Sequence, residues 1–267
     1  MGKIAIFGGT FDPVHWGHLL VAQVAVSQFQ LDRVLWMPDR VSPHKSRPDL
    51  AAFDRRREMV ALAIAGRSNF VLAPLEANAG TSFAIDTLLY LKNLYPDDRH
   101  YWIIGVDAFQ TLPKWHRCAE IGKLCDWLVA PRPSLPDIGG EEISAAGMLF
   151  DGSHPQTKET GFFTESAGLD AVFSQTNPVA GELRASPIDS SSFPEGDVLV
   201  ATSAACRRVA TQMTFKNLHI SWEVLCLRAI GISSSAIRQY CAGGRSIGCL
   251  VPKAVSNYIA AHRLYQI

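Results

Sequence analysis

Apolar residues along this chain come in two rhythms that alternate over its first half. Short continuous runs stop abruptly at Gly, Pro or charge: Ile4 to Phe7, RVLWMP from Arg33 to Pro38, Phe70 to Leu72, HYWIIG from His100 to Gly105, and Trp127 to Ala130. Runs of that length suit strands buried on both faces of a parallel sheet. Between them the spacing turns helical. Leu20, Val21, Val24, Ala25 and Phe29 form one such stripe, and Met59, Leu62, Ala63 and Ile64 a second within Asp54 to Ala65, with Arg55, Arg56 and Arg57 expected towards solvent. Ile85, Leu88, Leu89 and Leu91 form a third, with Ser82 as a cap and an end near Tyr95 and Pro96. The alternation predicts an α/β fold: a Rossmann-like, mostly parallel sheet of about five or six strands with helices on both faces, in one domain spanning 1–267.

The rhythm fails between Pro133 and Asn217, a stretch rich in Gly, Ser and Pro. It reads as a long irregular insertion at 133–217, an appendage to a core complete without it, in which LDAVF (169–173) and DVLVA (197–201) form short strands. Order returns at His219 to Leu227. Serines 233 to 235 then precede an apolar helix closed near Gly243 to Ser246, and Val251 to Leu264 reads as a last helix with Pro252 at its start.

The candidate chemistry gathers at the ends of the strands. KIAIFGGTFDPVHWGHLL (3–20) is a buried strand, a loop of about ten residues and a helix start. Gly8 and Gly9 give conformational freedom and close approach to a ligand, and a helix start directs free N–H groups at the same place, a combination that binds phosphate. His15 and His18 are three apart, so both imidazoles project to one side if Gly17 lies in the opening turn. Two ring N–H donors there can hold a phosphate that gains charge during transfer. A helix-capping His pair is the plain alternative. A zinc site lacks the glutamate of H-E-x-x-H and any nearby cysteine, so no metal ligands are assigned. Further along, Asp39 to Pro48 is a basic loop containing Lys45, and Gly105 and Asp107 close the fourth run, Asp107 alternatively capping the next helix. Trp115 and His116 follow, with Trp115 either core or platform. Ser233, Ser234 and Ser235 can cap a helix or offer hydroxyls to a second phosphate cluster, and Arg238 adds a fork of donors.

GGTFDPVHWGHL resembles the signature of the nucleotidyltransferases with an H-x-G-H motif, most of all that of the bacterial nicotinate-nucleotide adenylyltransferase family. The likeness covers Met1 to Pro133 and about Leu218 to Ile267, and the family usually crosses the interval in roughly half the length. It implies adenylyl transfer from ATP to nicotinate mononucleotide, giving deamido-NAD and pyrophosphate, with Mg²⁺ carried on the ATP phosphates. His18, His15 and Arg238 are then catalytic. ATP falls to Gly8, Gly9, Thr10, Phe11, Lys45, Gly105, Asp107, Ile232, Ser233, Ser234 and Ser235, and the mononucleotide to Ser82, Phe83, Ala84, Trp115 and His116. Phe83-Ala84 and Trp115-His116 depart from the family's usual Y-T and W-Y.

Composition removes other partners. Lys plus Arg and Asp plus Glu are 25 each, so no global field draws the chain to nucleic acid or a membrane surface. Six cysteines without C-x-x-C spacing read as reduced thiols, and the absence of a leader pattern before Lys3 as a cytoplasmic protein. Homo-oligomer formation stays open, as do two other functions: a nucleotidyltransferase of this fold with another acceptor, such as nicotinamide mononucleotide or phosphopantetheine, and a non-enzymatic nucleotide sensor.

Overall fold

The computed structural model describes residues 2–40, 50–74, 83–132, 196–227 and 231–266. Six parallel strands form one sheet in the order β3-β2-β1-β4-β5-β6: β1 Lys3–Gly9, β2 Arg33–Pro38, β3 Phe70–Leu72, β4 Arg99–Gly105, β5 Asp126–Ala130 and β6 Trp222–Val224. The chain winds outward from β1 in one direction and from β4 in the other. That order leaves a switch point between β1 and β4, where open α/β sheets have their ligand crevice beyond the carboxyl ends.

The continuous apolar runs are explained by what covers each face. Successive side chains alternate sides, so Ala5, Phe7, Val34, Trp36, Tyr101 and Ile103 enter one core, while Ile4, Ile6, Leu35, Met37, Trp102 and Ile104 enter the other. The first core is closed by α1 (Trp16–Phe29), α2 (Phe53–Ile64), α7 (Ser234–Ala242) and α8 (Lys253–Ala261). The second is closed by α3 (Ala84–Leu94), the short helices α4 (Val106–Phe109) and α5 (Cys118–Ile121), a 3₁₀ turn at Leu112–Lys114, and α6 (Gly196–Thr214).

Several boundaries differ from the sequence reading. Helix α1 starts at Trp16, which shortens the opening loop to residues 10–15, and it buries Trp16, Gly17, Leu19, Ala22 and Ala25, whereas the expected Leu20, Val21 and Val24 are half-buried. Helix α3 has Phe83 at its cap position without a side-chain bond, and Ser82 lies outside the described residues. DVLVA (197–201) is not a strand; it is the beginning of α6. That helix buries Thr202, Ala205, Cys206, Val209 and Met213 on one stripe against the second core. The carboxyl end of the supposed insertion is therefore core, and the LDAVF reading lies outside the described residues.

Candidate active site at the strand-end crevice

Helix α1 follows β1 at the switch point. The Trp16 N–H is bound by Leu250 O at 3.1 Å, while the His18 and Leu19 N–H groups turn back on His15 O. Among the described residues no carbonyl is bonded to the Gly17 N–H, one of the donors that a helix start leaves over. His15 is the cap residue, and its imidazole stacks on that of His18 with centroids 3.7 Å apart. The rings share a side, as their spacing predicts.

One hydrogen bond sets the chemistry of His18. Its Nδ1 accepts the main-chain N–H of His15 at 3.2 Å. An imidazole that accepts at Nδ1 while neutral carries its proton on Nε2, so the second nitrogen is a donor. Burial lowers the His18 pKa to about 3 and, with His18 alongside, holds that of His15 well below its usual range. Both rings are neutral at pH 7. Phe11, 2% exposed, lies edge-on to His18 at 5.0 Å and to Phe7 at 5.4 Å, so its side chain walls the imidazole and does not line open space.

Gly8 and Gly9 act differently from expectation. Both belong to β1, and neither has a left-handed backbone; the left-handed residue of this loop is Phe11, at φ 48°. What Gly9 supplies is room, because a Cβ there would meet the Phe11 ring at 3.2 Å. At Gly105, the cap residue of α4, a Cβ would meet nothing within 4 Å.

The serine motif arrives from the far end of the chain and docks on this loop. Ser233 caps α7 by accepting the Ala236 N–H at 3.2 Å, Ser234 Oγ donates to Pro13 O at 2.9 Å, and Ser235 Oγ accepts from Arg238 Nη2 at 3.3 Å. Ile232 packs against the first core. Arg238 Nη1 donates to Asp12 O at 2.8 Å and lies 3.6 Å from Asp12 Oδ2. The two motifs that sequence placed at opposite ends thus form one cluster.

Three contributors to this cluster escaped sequence reasoning. Arg56, expected in solvent, is 1% exposed and donates to Ala51 O, Thr10 O and Asp39 O at 2.9, 2.7 and 2.7 Å. It clasps the opening loop, including Thr10, to the ends of β2 and the start of α2. Asp12 is 2% exposed, and Tyr265 donates its hydroxyl to Asp12 Oδ1 at 2.7 Å. Arg56 falls on the buried stripe of α2, one turn before Met59 and Val60, but its charge masks the period, and its burial is explained only once its carbonyl partners are placed.

The remaining candidates lie on the short elements after β4 and at the start of α3. Trp115 is half-buried, edge-on to Trp102 and Trp127, and its indole N–H donates to Thr111 Oγ1 at 2.8 Å. The Phe83 and His116 rings lie 4.6 Å apart, next to Ala84 at the start of α3. Asp107 makes no cap; it pairs with Arg132 at 2.7 Å. Lys45 and Ser82 lie outside the described residues.

The chain is similar to known proteins over nearly its whole length. The family model described as cytidylyltransferase-like matches residues 6–240. A Nostoc protein named "Probable nicotinate-nucleotide adenylyltransferase" is 34% identical over 99% of this chain and 98% of its own length, and a Pelobacter propionicus protein of the same name is 32% identical over 98% of each. The length between β5 and β6 is therefore shared by relatives that align end to end. Among solved structures, the Plasmodium falciparum nicotinic acid mononucleotide adenylyltransferase complexed with NaAD superposes with a TM-score of 0.57 at 16% identity, over 99% of this chain and 98% of that one. At that identity the likeness concerns the fold.

Proposed function

Because the chain belongs to the cytidylyltransferase-like family, and within it to the nicotinate-nucleotide adenylyltransferases, we propose that it joins the adenylyl group of ATP to nicotinate mononucleotide, releasing pyrophosphate and deamido-NAD. The observation that carries this reading is the neutral His15–His18 stack at the start of α1, with the His18 proton assigned to Nε2 by the bond at Nδ1.

The mononucleotide phosphate attacks the α-phosphorus of ATP, a phosphorus–oxygen bond forms as the bond to the pyrophosphate breaks, and the leaving group keeps that electron pair. Little covalent work falls to the protein. His18 Nε2–H and the Gly17 N–H stabilise charge growing on the α-phosphate, with His15 beside them. Arg238 and the hydroxyls of the serine motif take the pyrophosphate end, with Lys45. Trp115 offers its ring to the pyridine, and main-chain N–H groups near Phe83, Ala84 and His116 meet its carboxylate.

Among the described residues no three His, Cys, Asp or Glu side chains are grouped as a metal cage. That suits a cation arriving with ATP, held by phosphate oxygens and water, with Asp107 the nearest carboxylate after β4 to add a contact. Mg²⁺ would supply charge neutralisation on the phosphates. The six cysteines are all free, which fits a reducing, cytoplasmic compartment. No described helix is long and apolar enough to cross a membrane.

Pyrophosphate release from ATP with a panel of acceptor phosphates tests the proposal. Nicotinate mononucleotide should give the fastest release, with the dinucleotide as co-product. Faster turnover of phosphopantetheine would assign a different member of the fold, and binding without release would assign a sensor.

A further inference from the structure

We propose that Tyr265, near the end of the chain, is a positioning residue for adenylyl transfer: through the Asp12 carboxylate it fixes where Arg238 presents its guanidinium. This rests on the reading of Arg238 as a phosphate-binding residue. The geometry is a three-part relay. Asp12 Oδ1 accepts the Tyr265 hydroxyl at 2.7 Å and the Ala51 N–H at 3.2 Å. Two donors on one oxygen set the carboxylate plane, and hence the place of the other oxygen. That second oxygen makes no hydrogen bond among the described residues and stands 3.6 Å from Arg238 Nη1, which also donates to the Asp12 carbonyl. A flexible arginine is thereby held by both ends of one buried aspartate.

The chain is bent to make this contact. After α8 the Leu264 N–H returns to Ile259 O at 3.0 Å, and Arg263 and Tyr265 take left-handed backbones at φ 49° and 62°. Neither is glycine, so the turn carries a conformational cost that the placement of the phenol offsets. Burial and the neighbouring carboxylate push the phenol well above its usual range, so it remains a donor at any working pH. A residue needed only for packing has no use for a hydroxyl on a carboxylate that faces an arginine.

The test is a double-mutant cycle with Tyr265→Phe, which keeps the ring and removes one hydroxyl, and Arg238→Ala. In the parent background Tyr265→Phe should lower kcat about tenfold and raise the ATP KM a few-fold, with the KM for the mononucleotide unchanged. In the Arg238→Ala background it should change kcat less than about twofold, because its lever is gone. An equal loss in both backgrounds, or an unchanged kcat in the parent, overturns the proposal. ATP binding by calorimetry on the same four proteins separates this from the functional reading. If the parent makes no dinucleotide, that reading fails, and the positioning role is then decided by whether Tyr265→Phe weakens ATP binding only while Arg238 is present. Removal of Tyr265–Ile267 serves as a second variant and should reproduce the Tyr265→Phe cycle; additivity there overturns the proposal as well.

Discussion

The two halves of the crevice are held by different physics. On the adenylyl side, side-chain bonds join residues 221, 226 and 253 positions apart: Ser234 to Pro13, Arg238 to Asp12 and Tyr265 to Asp12. Each crosses between segments that meet only in the finished fold. On the side we propose for the acceptor, Trp115 is tied to Thr111 and Arg117 to Glu120 within a turn, and aromatic rings of Trp102, Trp115, Trp127, Phe83 and His116 lie in contact. The longer links there, Asp107 to Arg132, Arg117 to Asp86 and Lys216 to the Pro113 carbonyl, are exposed, whereas those of the other side are part-buried at one or both ends. Transfer at phosphorus depends on donors fixed to a fraction of an ångström. A flat ring, as proposed for the pyridine on Trp115, needs only a platform.

The sharpest way to break the comparison is at its chemical centre. His18→Ala should lower kcat by about 10² to 10³, because it deletes a preorganised donor aimed at developing charge. Fold and ATP affinity should be largely kept, since the ring is half-buried beside Phe11 and makes one hydrogen bond within the protein. Steady-state turnover with circular dichroism and ATP titration checks both parts. Turnover within a few-fold of the parent would remove the mechanism.

Next comes the scaffold of the same half. Arg56→Met takes the buried guanidinium away from three half-buried carbonyls, those of Thr10, Asp39 and Ala51. Unpaired buried polar groups are costly, and the loss should be about 3 kcal/mol of unfolding free energy. Arg56→Lys should recover only part of it, because one ammonium cannot span a three-carbonyl fork. The matched change across the crevice, Arg117→Met, removes exposed pairs to Glu120 and Asp86 and should barely move the urea midpoint. Similar midpoints for the two variants would erase the contrast.

These residues also mark where the sequence stops being readable. The strands were legible because burial on both faces leaves an apolar run whichever way the chain turns: β2 and β3 begin and end where their runs do. The H-x-x-H pair was legible as two rings on one side, although His15 stands at the extended cap position and the rings meet through the cap bond from its N–H to His18 Nδ1 as well as through spacing. Helix α6 was hidden because its buried stripe begins with Thr202, Ala205 and Cys206, short side chains with a faint apolar signal, before Val209 and Met213, while Val200 is exposed and blurs the period. Arg56 and Tyr265 were hidden for another reason. Their partners come from segments brought close only by the sheet; Arg56 does stand one turn before Met59 and Val60 on the buried stripe of α2, but its charge and its arginine neighbours hid that place.

Acid should reach the adenylyl half first. His18 falls to about 3 and His15 is also lowered, both chiefly by burial, so the folded chain takes up these protons later than the unfolded chain does. The unfolded state therefore binds more protons below pH 6.5, and stability falls as pH drops from there towards the folded value. Each such histidine removes up to about 1.4 kcal/mol of stability per pH unit as pH falls through that window and leaves it unchanged above. Urea midpoints between pH 7 and 5 should fall, and less steeply in His18→Gln. Equal slopes for parent and variant would show that the stack does not govern acid stability.

The smallest expected effect lies on the acceptor side, where the ring contacts leave most latitude. Side chains differ from the family's usual pattern at Phe83, Ala84 and His116, but the groups proposed to meet the pyridine carboxylate are main-chain N–H donors, which these residues supply like any other. Nicotinate presents two acceptor oxygens to such donors. Nicotinamide presents one oxygen and an NH₂, and donor facing donor leaves both unpaired in a site closed to water, which costs more than a bond never formed. His116 is exposed, its ring 4.6 Å from that of Phe83, and its imidazole is not required for the main-chain donors. Nicotinate mononucleotide should thus be favoured by at least about tenfold in kcat/KM, or about 1.4 kcal/mol, and His116→Ala should reduce that ratio only slightly at neutral pH. Side-by-side kinetics with the two mononucleotides decides it. A ratio near one in the parent would mean that backbone donors do not set the choice, and a ratio that collapses in His116→Ala would move specificity from the main chain to the imidazole.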